Sequence, residues 1–318
     1  MKILFLATEA TSGVNVRRDV ELVTFAAYVA RLEPVLCPGQ TELAQASRAL
    51  SDKEEIHVIL ADIAHGAFIQ ELLTPASFCL TSLLLCSERL TADQKSLLTS
   101  GFARHLIPRA DALVSVLLPT FHRLTSPGTV PLGRTLGGNV SIHSALIRQP
   151  SHLSNMGAEI EEELGLFAQS AGPTFRSTFI PRVQQVIDEI FTNALVVTNG
   201  SDDLGSFLLA RQESIQVEWG FNGEAFGLRV TDRKGALLPW TFLRSAFGLP
   251  LDGKPGPANV NVERKSLGIG LQESLSISRE LSATVAPRRF TQIDAMVPYE
   301  RSLKAFELSP KRVEFFSL

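Results

Sequence analysis

Residues 180–198 read IPRVQQVIDEIFTNALVVT, and this stretch decides how the second half of the chain is read. Val183, Val186, Ile187, Ile190, Phe191 and Ala194 fall at i, i+3, i+4, i+7, i+8 and i+11. That spacing puts the six side chains on one stripe of a helix, the face that packs against a core. Glu189 and Asn193 are one turn apart, so they stand side by side at the edge of the stripe. A carboxylate beside an amide can hold a water and a Mg2+ ion. Magnesium prefers oxygen ligands and keeps several waters, so one protein ligand plus phosphates is enough. A solvated helix edge carries the same pair.

Downstream, Ile215, Val217, Trp219 and Phe221 alternate with polar or small residues, and Phe226, Leu228 and Val230 alternate again. Asn222-Gly223 between them predicts a hairpin with a type I′ turn, whose two central residues both need positive φ. The second strand runs into Val230-Thr231-Asp232-Arg233-Lys234-Gly235. An acid at a strand end, followed by a glycine turn, can accept a hydrogen bond from a ligand amine. Asp and Gly are also ordinary turn residues. Further on, Lys265-Ser266-Leu267-Gly268-Ile269-Gly270-Leu271 opens a helix predicted over 271–282. Glycines at a helix N-terminus let backbone N–H groups approach a phosphate; they equally serve a helix start that needs flexibility. Residues 247–259, FGLPLDGKPGPAN, are a lid or a long surface loop. Strands are predicted at 140–147 and 290–298 and a helix at 152–168. Helices come first and the antiparallel hairpin later, the α+β arrangement.

In this order the three elements resemble the GHKL ATPases, whose nucleotide-binding domain has the Bergerat fold. Glu189-Ile190-Phe191-Thr192-Asn193 matches the family's E-x-x-x-N helix, Asp232 and Gly235 its acid-and-glycine box, and Gly268-Ile269-Gly270-Leu271 its G-x-G-L turn. The resemblance covers about residues 140–300 and looks most like the anti-sigma-factor serine kinase branch. It implies ATP and Mg2+ as ligands. Asn193 would ligate Mg2+, and Glu189 would orient or deprotonate the attacking hydroxyl or water. Asp232 would accept from the adenine amino group, while Gly268 and Gly270 would let the backbone reach the phosphates. The usual acid-and-glycine box reads D-x-G-x-G. Here Gly235 comes one residue late, the second glycine is absent, and Lys234 stands where a glycine is expected. The implied adenine pocket is reshaped accordingly.

Residues 1–123 have a different rhythm. Short apolar runs at 3–7, 35–37, 56–61, 83–86 and 105–107 predict buried strands, and helices are predicted near 16–31, 40–50, 66–74, 92–101 and 110–123. Strands alternating with helices predict a doubly wound parallel sheet, with right-handed crossovers. The pattern resembles a response-regulator receiver domain. Asp62 ends the third strand, where receivers carry the phosphoacceptor; Ser87 follows the fourth strand and Pro108 the fifth. Receivers also need an acidic pair after the first strand and a lysine before the proline. This chain has Ala7 and Thr8, with only Glu9 left, and Ile107. Metal and phosphoryl oxygens would be poorly neutralised there. The resemblance therefore implies a pseudo-receiver, used for dimerisation or partner docking, in which Asp62 is a degenerate phosphoacceptor or an ordinary strand-end acid. The predicted organisation is a domain over 1–123, a linker over 124–139 (LTSPGTVPLGRTLGGN) and a second domain over 140–318.

Composition narrows the function classes. Hydrophobic residues make up 45% of the 318 and charged residues 20%, enough apolar surface for folded domains. Thirty basic against 33 acidic residues give a net charge of −3, so no broad basic field attracts nucleic acid or anionic membrane. The longest charge-free run, 72–87, contains Pro75 and is shorter than the roughly 20 residues of a spanning helix. The run at 3–7 is shorter than the roughly 7–15 residues of a signal-peptide core. Cys37, Cys79 and Cys86 lack CxxC spacing, which predicts a reducing cytoplasm with neither disulfides nor zinc. None of the six histidines precedes an acid, as the phosphoacceptor of a histidine kinase usually does. The expectation is a bacterial-type signalling protein that binds ATP–Mg2+. It would phosphorylate Ser/Thr on a protein partner of anti-anti-sigma type, or gate that partner's binding. The alternative is a non-catalytic scaffold with both sites degenerate.

Overall fold

The computed structural model describes residues 2–7, 16–38, 56–62, 81–86, 103–108, 113–125, 128–137, 140–200, 202–210, 212–248, 269–300 and 311–318. They form a mixed α/β protein of two compact units. The first comprises Met1–Gly128 with Pro310–Glu314, the second Thr129–Ser309 with Phe315–Leu318.

In the first unit, short runs rich in Leu, Ile and Val become strands because such residues suit a pleated, buried surface. The strands are β1 (Lys2–Ala7), β2 (Glu33–Pro38), β3 (Ile56–Asp62), β4 (Thr81–Cys86) and β5 (Ala103–Pro108). They pair in the order β2-β1-β3-β4-β5, each neighbour parallel. Helices α1 (Val16–Val29) and α2 (Leu113–Thr125) pack against one another. Val23, Ala26 and Ala27 of α1 join Val58, Leu60, Ile107, Leu117 and Phe121 in the core. The small alanines let α1 approach closely. The helices predicted near 40–50, 66–74 and 92–101 lie outside the described residues.

This unit also takes in a segment from the far end of the chain. Val313 and Glu314 of β11 (Arg312–Ser317) pair antiparallel with Leu106 and His105. Glu314 is fully buried, where Thr120 Oγ1 donates to Oε1 at 2.6 Å and Arg312 pairs with Oε2 at 2.8 Å. The sequence reading has no element beyond 298; the partner that meets Glu314 here, Thr120, lies 194 positions earlier in the chain.

The second unit contains α3 (Leu132–Leu136), β6 (His143–Ile147), α4 (Pro150–Ala171), α5 (Ile180–Asn199), β7 (Ile215–Phe221), β8 (Ala225–Asp232), α6 (Pro239–Ala246), α7 (Ile269–Ile277), β9 (Glu280–Ala286) and β10 (Phe290–Pro298). Strands β9-β10-β8-β7-β6 pair in that order, all antiparallel. Alternation gives the sheet two characters. Val217, Val230 and Ile293 stand in register on one face, as do Trp219, Leu228 and Ala295. Glu218, Arg229 and Asp294 share a row on the other face, where Arg229 Nε donates to Asp294 Oδ1 at 2.8 Å. Helix α3 forms inside the predicted linker. Gly227 makes room for it, since a β-carbon there would stand 2.9 Å from Leu136 Cγ.

Two local expectations change. The hairpin forms, but only Gly223 has positive φ (90°), so the turn is not type I′. Asn222 caps it instead, its Oδ1 accepting from Glu224 N at 2.8 Å and Ala225 N at 2.7 Å. Helix α7 stops at Ile277 rather than 282, because Leu281, Ala283 and Val285 are taken into β9 and pair with β10.

Candidate functional site

Helix α5 presents the central pair. Pro181 in its first turn has its φ pre-set for a helix, and Gly200 closes it in the left-handed conformation at φ 76°. The apolar stripe read from the sequence is buried in full. Asn193 is buried as well, and its Nδ2 donates to the Glu189 carbonyl at 2.9 Å. That leaves the amide oxygen for another partner. Glu189 is half-buried beside it.

Helix α7 closes over this pair. A β-carbon on Gly270 would stand 2.5 Å from Glu189 Oε2 and 3.0 Å from Asn193 Nδ2. With glycine here the backbone of α7 lies against both groups, and any side chain would have to push Glu189 aside. Three residues along, Glu273 reaches the Glu189 carboxyl and accepts from Gln185 Nε2 at 3.2 Å. Burial, the Glu273 carboxyl and Asp188 together push Glu189 above the usual glutamate range, burial most of all. A carboxyl so raised is a better proton acceptor once ionised.

Asp232 and Gly235 form a second set. Asp232 is buried and accepts from Lys234 N at 2.7 Å, with Gly235 N and Thr291 as further donors. Burial still pushes its carboxyl above the usual aspartate range. Gly235 has φ 60°, and a β-carbon on it would run into the Ala286 carbonyl and stand 2.8 Å from Arg288 N. It is glycine because it packs on the turn between β9 and β10. Lys234 turns away from the acid and pairs with Glu213 at 2.6 Å.

No protein-family model matches the chain, and no curated protein matches it significantly.

Of the residues singled out from the sequence, the described contacts bring together Glu189, Asn193 and Gly270, with Asp232 and Gly235 in a set of their own. Gly268 and most of the 247–259 loop lie outside the described residues. In the first unit Asp62 is the last residue of β3, in register with Leu85, and Ile107 is fully buried. Among the described residues, no cluster of three or more His, Cys, Asp or Glu side chains is arranged to hold a metal. A cavity of about 620 Å3 lies at the far end of β8 from Asp232, lined by Asn222, Glu224, Arg279 and Tyr299 among others. It is not part of this chemistry. Sequence reading missed Glu273 and Thr291, whose importance comes only from facing Glu189 and Asp232 across the fold.

Proposed function

We propose that the second unit binds an adenine nucleotide with Mg2+ as a GHKL-type domain of Bergerat fold, and that the first is a receiver-like docking unit. One observation carries the proposal: Gly270 lies against both Glu189 and Asn193, although 81 and 77 residues separate it from them. The E-x-x-x-N and G-x-G-L elements lie far apart in the chain, and their meeting is what a shared phosphate site requires. The antiparallel sheet with α5 against it supports the fold assignment. The order β2-β1-β3-β4-β5 is that of flavodoxin-like and receiver sheets, which supports the other.

In this reading Asn193 offers its amide oxygen to Mg2+, which would neutralise phosphate charge when bound. The N-terminal turn of α7, freed of side chain at Gly270, brings backbone N–H groups to the phosphates. Glu189 orients the attacking hydroxyl of a Ser or Thr on a partner chain, or a water, and takes up its proton. Asp232 marks the adenine end. Phosphoryl transfer depends on positioning and charge more than on covalent chemistry, so binding without turnover would give a nucleotide-gated switch for a protein partner.

A second reading has its own support. Asp232 already has its own turn and Thr291 as donors, as in a structural turn, and this favours a scaffold that has lost nucleotide. A thermal-shift titration separates the two. ATP with Mg2+ at about 100 times its Kd should stabilise the protein by about 2.7 kcal/mol. No shift at saturating nucleotide would leave the scaffold.

A further inference from the structure

The Asp232 end of the second unit carries four cations on two adjoining loops, which the nucleotide reading does not use. Arg233 and Lys234 follow β8, and Arg288 and Arg289 form the turn between β9 and β10. The two loops are locked together. Arg288 N donates to the Gly235 carbonyl at 3.3 Å, and Gly235 leaves no room for a β-carbon between them. The cations therefore sit on a rigid mount rather than on a loose loop. Arg233, Arg288 and Arg289 are exposed. Lys234 is paired with Glu213, but among the described residues Arg288 and Arg289 make no ion pair. Asp232 adds little opposing charge at the surface, because it is buried and turned into its own loop.

The backbone of the second loop is fixed as well. Arg288 has φ 59°, in the left-handed region, where glycine would be unstrained and other L-residues sit at a cost. The turn is closed by Arg289 N donating to the Ala286 carbonyl at 2.9 Å, so both exposed arginines are carried on an ordered turn.

We propose that Arg233, Arg288 and Arg289 form a docking surface for an acidic segment of a protein partner. Guanidinium groups take carboxylates two hydrogen bonds at a time, and their planar forks suit such pairing. Protein carboxylates are favoured over nucleic acid because the cations occupy two short loops. A nucleic-acid groove needs charges laid out along a backbone track, and the chain as a whole carries −3. The surface borders Asp232, so a partner held here would lie beside the proposed adenine end, yet its binding does not require nucleotide.

The test uses the full chain and a fluorescent peptide of about eight glutamates, long enough to span roughly 25 Å. An equal-length glutamine peptide and a thymidine oligonucleotide serve as comparisons. Anisotropy should show the glutamate peptide binding at low salt, weakening as salt rises, with the glutamine peptide silent. The double variant Arg288→Gly, Arg289→Ser relieves the strained turn, so it should fold with an unchanged or raised Tm. Its affinity for the peptide should fall about tenfold, as two exposed pairs are lost. Absence of peptide binding, or binding that survives the double variant, overturns the proposal. Tighter binding of the oligonucleotide than of the peptide overturns the choice of partner. None of these outcomes depends on whether ATP binds.

Discussion

Gly270 and Asn193 are in contact across two helices, with the site of a missing β-carbon 3.0 Å from the amide nitrogen. The atom nearest that site, Glu189 Oε2 at 2.5 Å, is the end of a flexible side chain that can swing aside. Gly270→Ala should therefore fold normally, with helix propensity slightly in its favour. It should also displace Glu189 and crowd Asn193. We expect ATP–Mg2+ affinity to drop about tenfold or more, which is about 1.4 kcal/mol, with Tm hardly changed. Equal affinity by calorimetry would remove Gly270 from the site.

Glu189→Ala separates binding from chemistry. Loss of a general base typically costs about 10²- to 10⁴-fold in rate. The variant should bind ATP nearly as well as the parent and transfer label from γ-labelled ATP to a partner Ser or Thr at a rate close to background. Unimpaired transfer would exclude Glu189 as the base. Acid-labile self-labelling lost on changing His143 or His152 would instead make the protein a histidine kinase.

Asp232 makes a claim about pH. Its carboxyl is held above the usual aspartate range by burial, so the folded state binds this proton more tightly than the unfolded chain does. Its contribution to stability is therefore largest at low pH and declines as pH rises from the ordinary aspartate value towards the raised one. Asp232→Asn should flatten that decline and raise Tm at neutral pH, while adenine-nucleotide affinity is lost. Urea melts across the acid range test the first part and calorimetry the second. A steeper decline in the variant would contradict the assignment.

Glu314 behaves in the opposite sense. Although burial opposes ionisation, Arg312, His105 and Arg123 hold its carboxyl down at about 2. Its stabilisation is complete above the ordinary glutamate value and drains away as pH falls towards about 2. His105 beside it is pushed below the usual histidine range, chiefly by burial. Glu314→Ala leaves Arg312 without its buried partner, which typically costs about 3–5 kcal/mol. Denaturant unfolding at neutral pH reads this directly; a loss under about 1 kcal/mol would mean the network is solvated.

The first unit should not take a phosphoryl group from acetyl phosphate. Ile107 is fully buried where a receiver needs a lysine, and Ala7 ends β1 where one of two acids is required. Intact-mass detection of an acid-labile adduct that disappears in Asp62→Asn would refute this.

Much of the architecture follows from patterns that act over a few residues. The spacing of Val183 through Ala194 needs only helix geometry to become a buried stripe, and Glu189 and Asn193 become neighbours for the same reason. The alternation of Ile215 to Val230 needs only the period of a strand. Turn details were less legible. Asn222-Gly223 reads as a I′ centre, yet Asn222 serves as the cap because its side chain competes for the backbone N–H groups of Glu224 and Ala225.

The sequence by itself determined the buried stripe of α5, the alternating strands β7 and β8 and the polar residues at their edges, because periodicity is local. Only the tertiary structure decided what those residues meet. Gly270 falls on Glu189, Glu273 faces the same carboxyl, and Gly235 packs on the turn that carries Arg288. Glu314 near the C-terminus is buried beside His105 of β5. Each contact joins residues dozens to hundreds of positions apart. Its energy comes from burial and pairing across the fold, which no local pattern in the chain encodes.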